Sequence, residues 1–171
     1  MAASNAERIA IVRGADSATV QTLFEEAVTR WRASDIQVVG LIEEQHGLPD
    51  RTCNAGMLRD IVSGEPYSIY LEVPPPNATC HIDATGAENA CATVLRQIET
   101  CDLVVLSKFG KLEAAGGGLF GAFEAAMAER KPILTTVSDK HLDAWRDFAP
   151  AATVLPASAA ALQKWWGGVR S

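Results

Sequence analysis

Apolar and polar positions along the chain switch repeatedly between two periods. Arg8 to Val12 is a short apolar run ending at Arg13-Gly14. From Ser17 the spacing becomes helical, with Val20, Leu23, Phe24, Ala27, Val28 and Trp31 on one face. Ile36 to Ile42 is a second strand pattern, closed by Glu43-Glu44-Gln45. Met57 to Val62, the turn residues Ser63-Gly64, and Tyr67 to Leu71 predict a β-hairpin. Pro74-Pro75-Pro76 then excludes helix.

Asp83 or Thr85 can cap a helix from about Ala87 to Glu99, with Cys91, Val94, Leu95 and Ile98 facing inward. A strand from Leu103 to Leu106 follows. The next helix carries Leu119, Phe120, Phe123 and Met127 on its apolar side and ends near Arg130. Ile133 to Val137 is another buried strand. Ser138 or Asp139 caps a short helix with Leu142, Trp145 and Phe148, and Thr153 to Leu155 and Ala157 to Trp166 give a last strand and helix. The alternation predicts a single α/β domain over residues 1–171. Its sheet is mainly parallel, with helices on both faces and one inserted antiparallel hairpin.

Composition narrows the function classes. A hydrophobic content of 48% with 21% charged residues is that of a globular protein. The net charge of -6, without a basic run, argues against nucleic acid as a partner. No apolar run is long enough to span a membrane, and the first residues, Met1 to Val12, lack the basic start and apolar core of a secretory signal. A cytoplasmic location is therefore expected. Cys53, Cys80, Cys91 and Cys101 form no C-x-x-C pair and read as thiols rather than bridges, the last two as core thiols. Trp165 and Trp166 either dock the final helix or form a contact between copies, which leaves homo-oligomerisation open.

The chemistry is expected where parallel strands end, because loops and helix N-termini meet there. A Walker A phosphate loop reads G-x-x-x-x-G-K-[ST]. Counted from Gly14, the last three positions hold Thr19, Val20 and Gln21, so glycine, lysine and hydroxyl are all missing. The helix N-terminus after Gly14, Asp16 and Ser17 still favours an anion, although Asp16 or Ser17 can equally be the helix cap. The loop Ser107-Lys108-Phe109-Gly110-Lys111-Leu112-Glu113 offers two cations and a carboxylate. Gly116 and Gly118 allow close backbone approach. Glu113 is the candidate catalytic residue, able to orient water, a metal or a base edge. Cys53, Cys80, His81 and Asp83 make a candidate metal or thiol set, with spacing unlike any standard zinc module.

The cysteine before the hairpin, the segment Cys80-His81-Ile82-Asp83 and the run Ser107 to Glu113 with Gly116 and Gly118 resemble an uncharacterised bacterial family. That family, a domain of unknown function, is often encoded near molybdenum-transport genes. In the family pattern asparagine stands at position 107 and arginine at position 81, where this chain has Ser107 and His81. The element order also resembles, more distantly, the small P-loop nucleoside-triphosphatases first described in thermophiles. Ser107-Lys108 takes the place of their acidic pair, while Gly110 and Glu113 fit their motif.

These resemblances imply a P-loop-like three-layer sandwich stripped of its hydrolytic groups, for which magnesium is not expected. In P-loop strand order, the first strand and the Leu103–Leu106 strand would end side by side. Lys108 would then enter the phosphate region from the neighbouring strand. The leading expectation is a non-hydrolysing nucleotide- or oxyanion-binding protein, an accessory to molybdenum metabolism. Its site would combine Gly14, Asp16, Ser17, Ser107, Lys108, Lys111, Gly116 and Gly118. The alternatives are a nucleotide hydrolase or transferase with a non-standard site using Glu113, a thiol- or metal-handling protein, and a partner-binding module.

Overall fold

The computed structural model describes residues 7–45, 55–69 and 83–170. Among them the strands are β1 (Ile9–Arg13), β2 (Val38–Gln45), β3 (Ala55–Asp60), β4 (Pro66–Ser68), β5 (Leu103–Val105), β6 (Ile133–Thr136) and β7 (Thr153–Pro156). The helices are α1 (Ser17–Ala33), α2 (Ala84–Leu95), α3 (Lys111–Ala114), α4 (Phe120–Ala128), α5 (Leu142–Phe148) and α6 (Ala159–Arg170). The strands form one sheet in the order β4-β3-β2-β5-β6-β1-β7. β2, β5, β6, β1 and β7 pair in parallel, while β3 is antiparallel to both β2 and β4, which is the expected hairpin.

Strand side chains alternate between two cores, as a sheet covered on both faces requires. Ala10, Val12, Val38, Leu103, Val105 and Leu134 pack against α1 and α6, where Phe24, Trp31, Leu162 and Trp166 are buried. Ile9, Ile11, Val39, Leu41, Val104 and Ile133 face α2, α4 and α5. The result is a three-layer sandwich of P-loop-like organisation. Trp165 and Trp166 are 7% and 6% exposed, so the pair docks the closing helix. Cys91 and Cys101 are buried, and burial pushes both thiols above the usual range, as expected of core residues.

Several expectations change. α2 ends at Leu95, and a separate turn of 3-10 helix covers Ile98–Thr100. Leu95 is 44% exposed rather than inward, because the buried face of α2 runs through Ala87, Ala90, Cys91 and Val94 and leaves Leu95 at its edge. The strand beside β1 is β6, not β5. Lys108 therefore enters from the next strand but one, and its loop must cross the end of β6. It does so by riding on that strand: Phe109 N donates to Thr136 O at 2.9 Å and Phe109 bridges in parallel to Val137.

Candidate functional site

A cavity of about 1240 Å³ opens at the carboxyl ends of β1 and β6 and under the loop after β5. Three chain segments wall it: Arg13 to Ser17, Lys108 to Lys111, and Thr136 to His141. Each segment is positioned by local physics. Gly14 turns the chain out of β1 at φ +98°, a conformation that a side chain would strain. Asp16 then caps α1, its carboxylate accepting from Thr19 N at 2.7 Å, and that backbone hydrogen bond lowers its pKa. The lysine loop is pinned by Phe109, which is 2% exposed and packs edge-on against Phe123 and Trp145 at 5.4 and 5.3 Å. With the phenyl ring sunk in the core, Lys108 and Lys111 are both left on the cavity wall.

The cavity is cationic but not uniformly so. Arg13, Lys108, Lys111 and Lys140 line it, with Asp16 and Asp139. Arg13 pairs with Asp139. Lys108 Nζ lies 3.0 Å from Oε1 of Glu43, a carboxylate at the end of β2 whose side chain is only 3% exposed. Ser17 Oγ donates to the other oxygen of Glu43 at 3.3 Å. His141 sits on the same wall with its pKa lowered, first by burial and then by Lys140, Lys108 and Lys111. Its ring is thus held neutral at pH 7.

Behind Lys108 is a second chamber of about 30 Å³, lined by Glu43, Ser107, Lys108, Lys111 and Glu113 among apolar neighbours. It is large enough to admit water. Glu113, 6% exposed, spends both carboxylate oxygens on backbone amides: Gly110 N donates to one and Leu119 N to the other, each at 2.8 Å. Burial raises its pKa against the opposing pull of those amides. Glu113 therefore clasps the two ends of the segment 110–119. Gly118 completes the clasp, since at φ +56° an added Cβ would lie 2.1 Å from Glu113 Oε2.

Gln21 explains how the site does without a Walker A hydroxyl. It holds the position where that hydroxyl would fall, and is 6% exposed. Its Nε2 donates to Ser107 O at 2.7 Å, and its Oε1 accepts from Glu43 N at 3.0 Å. One amide thus ties α1 to the ends of β5 and β2, where a P-loop enzyme would keep a hydroxyl for its metal.

The fold brings Gly14, Asp16, Ser17, Lys108 and Lys111 together on one cavity. It does not bring Ser107, Gly116, Gly118 or Glu113 to that wall: Ser107 is 2% exposed and serves the strand ends, and the others belong to the clasp. Cys53, Cys80 and His81 lie outside the described residues, while Asp83 caps α2 by accepting from Thr85 N at 3.0 Å. Sequence reasoning missed Arg13, Gln21, Glu43 and the whole segment Thr136 to His141. The last of these was findable, because the residues after the Ile133–Val137 strand obey the same strand-end rule as Lys108.

Comparison with known proteins bears on this geometry. A family model described as "Protein of unknown function (DUF2478)" matches residues 9–165, which contain every element from β1 into α6 and all walls of the cavity. The chain belongs to the DUF2478 family. This DUF2478 chain is also similar to the molybdenum import ATP-binding protein ModC 2 of Bradyrhizobium diazoefficiens. The two are 34% identical over 117 residues, which are 67% of the chain and 13% of that protein. The chain thus spans a small fraction of that relative's length. No solved structure matches it.

Proposed function

We propose that this DUF2478 protein is a non-hydrolysing anion-binding protein whose ligand is a nucleotide phosphate or an oxyanion such as molybdate. The ligand is held in the cavity between Gly14, Lys108, Lys111 and Lys140. The observation that carries this reading is the convergence of cationic side chains and the N-terminal end of a long helix on one strand-end cavity. Lys111 and Lys140 have no carboxylate partner among the described residues, so their charge is available to a ligand. Distant similarity to a protein named for ATP binding and molybdenum import supports the ligand class and a supporting role in molybdenum metabolism.

Turnover is a poorer reading. Val20 and Gln21 stand where a P-loop enzyme needs lysine and hydroxyl, and Glu113 is consumed by backbone amides. A thermal-shift series with phosphate, molybdate, tungstate, AMP, ADP and ATP, each with and without magnesium, tests the proposal. A ligand at about 100 times its dissociation constant stabilises the fold by ~2.7 kcal/mol, a shift of several degrees. Stabilisation that is independent of magnesium and lost in Lys111→Ala is the expected result. A flat series on folded protein would discard it.

A further inference from the structure

The proposed site contains its own counter-ions, and their placement restricts what it can hold. Four cations line the cavity, but two carboxylates line it with them, and Glu43 stands behind Lys108 as a third. One net positive charge remains with His141 neutral. The carboxylates are also distributed. Asp16 sits on the helix side and Asp139 on the side of the loop after β6, while Glu43 lies behind Lys108, outside the cavity lining.

Glu43 is the decisive one, because it engages two groups that would otherwise be given to an anion. Lys108 Nζ is drawn to one of its oxygens at 3.0 Å and Ser17 Oγ to the other at 3.3 Å. The carboxylate is held in place by burial and by its own backbone, whose N–H is fixed to Gln21. It is therefore a fixed counter-charge behind Lys108.

A chain of phosphates carries more negative charge than the unpaired Lys111 and Lys140 supply, in a cavity that Asp16 and Asp139 also line. A single tetrahedral group with a compact double charge is matched by those two lysines. Placing like charge against the wrong ligand is a common way for a site to discriminate.

We propose that Glu43 is a specificity-determining residue that limits this cavity to compact dianions, a free oxyanion or a phosphomonoester, and excludes polyphosphate chains. The inference rests on the anion-binding reading given above and narrows its ligand. The test is calorimetric titration of the native chain and Glu43→Gln with phosphate, molybdate, AMP and ATP in magnesium-free buffer. In the native protein, molybdate, phosphate or AMP is expected to bind at least tenfold tighter than ATP. Molybdate and phosphate against AMP tells a free oxyanion from a phosphomonoester. Glu43→Gln keeps the hydrogen-bonding shape but removes the charge, so ATP should gain tenfold or more relative to AMP.

ATP binding as tightly as AMP to the native chain overturns the inference and leaves the anion site standing. So does a ratio that Glu43→Gln does not move. Binding of none of the ligands overturns the anion site itself. If Glu43→Gln does not fold, Glu43→Met, uncharged and of similar length, takes its place in the same comparison.

Discussion

Lys108 Nζ stands 3.0 Å from Glu43 Oε1, with one-third of the lysine side chain in solvent and nearly all of the glutamate out of it. The pair joins the end of β2 to the loop after β5, so it ties the wall of the cavity to the sheet. Truncation of the lysine strands a buried carboxylate. Breaking a fully buried pair costs 3–5 kcal/mol, and the exposed lysine end lowers the expected loss for Lys108→Met to ~2 kcal/mol. Urea denaturation of Lys108→Met, Glu43→Gln and the double variant should show the double variant recovering most of that loss. Strict additivity would mean that the two residues are not coupled.

Glu113→Gln keeps the size of the clasp but can accept at only one of its two former oxygens. One backbone N–H, of Gly110 or Leu119, then faces an amide group that cannot receive it. The expected destabilisation is ~2 kcal/mol, the cost of an unpaired buried polar group. Because burial raises the Glu113 pKa in the folded state, the native chain binds this proton more tightly than the unfolded one. This contribution is complete below the unfolded pKa of about 4.5 and fades as pH rises through the folded value. Midpoints measured from pH 4 to pH 7 should lose that slope in Glu113→Gln.

Gly118→Ala tests the same clasp from the other side. The new methyl group would sit 2.1 Å from Glu113 Oε2 at a backbone angle of φ +56°. Both effects oppose the substitution, and the expected loss is ~2 kcal/mol or more. Equal thermal stability of Gly118→Ala and the native chain would show that the loop has another resting conformation.

His141 reports directly on the cavity. Burial and the nearby lysines lower its pKa, so in the free protein its ring should titrate below 6.5 in a proton NMR titration. A dianion between those lysines reverses the local field and favours the imidazolium. Binding of molybdate, which stays a dianion in this range, should therefore take up a proton near neutrality and tighten as pH falls towards about 6. His141→Gln should bind with less dependence on pH. A ring pKa unmoved by saturating ligand would place the ligand elsewhere.

Gln21→Leu should be costly although it replaces a buried polar group with an apolar one of similar size. Ser107 O and Glu43 N both lose their side-chain partner. The expected destabilisation is ~2 kcal/mol, measurable by chemical denaturation, with a secondary loss of order in the lysine loop seen by hydrogen exchange.

The elements were legible in the sequence because period alone decides them. Val20, Phe24, Ala27, Val28 and Trp31 are all buried on the face their spacing defines. Strand order was not legible, since nothing in Ile133–Thr136 says that it lies between β1 and β5. That gap hid the segment Thr136 to His141 from the site. Glu43 illustrates a finer limit. Alternation puts Glu43 and Glu44 on opposite faces of β2, but it does not say which face meets the lysine loop. In the fold Glu43 turns inward to Lys108, while Glu44 pairs with Arg59 at 2.6 Å on the hairpin. Lys108 and Lys111 were legible because they follow a strand end; Glu113 and Gly118 shared their motif but serve its internal geometry.

The position of β6 has a kinetic consequence. Thr136 Oγ1 donates to Val12 O across 124 residues of chain, and β1 has no other neighbour on that side. The first strand must therefore wait for the sixth before the cavity has two walls. Closing so long a loop carries a high entropic cost and belongs to slow, non-local assembly. A growing chain that has made only its first hundred residues lacks two of the three segments that wall the cavity. The cavity is thus completed late, and a ligand bound there would lock the finished sheet but could not guide its construction.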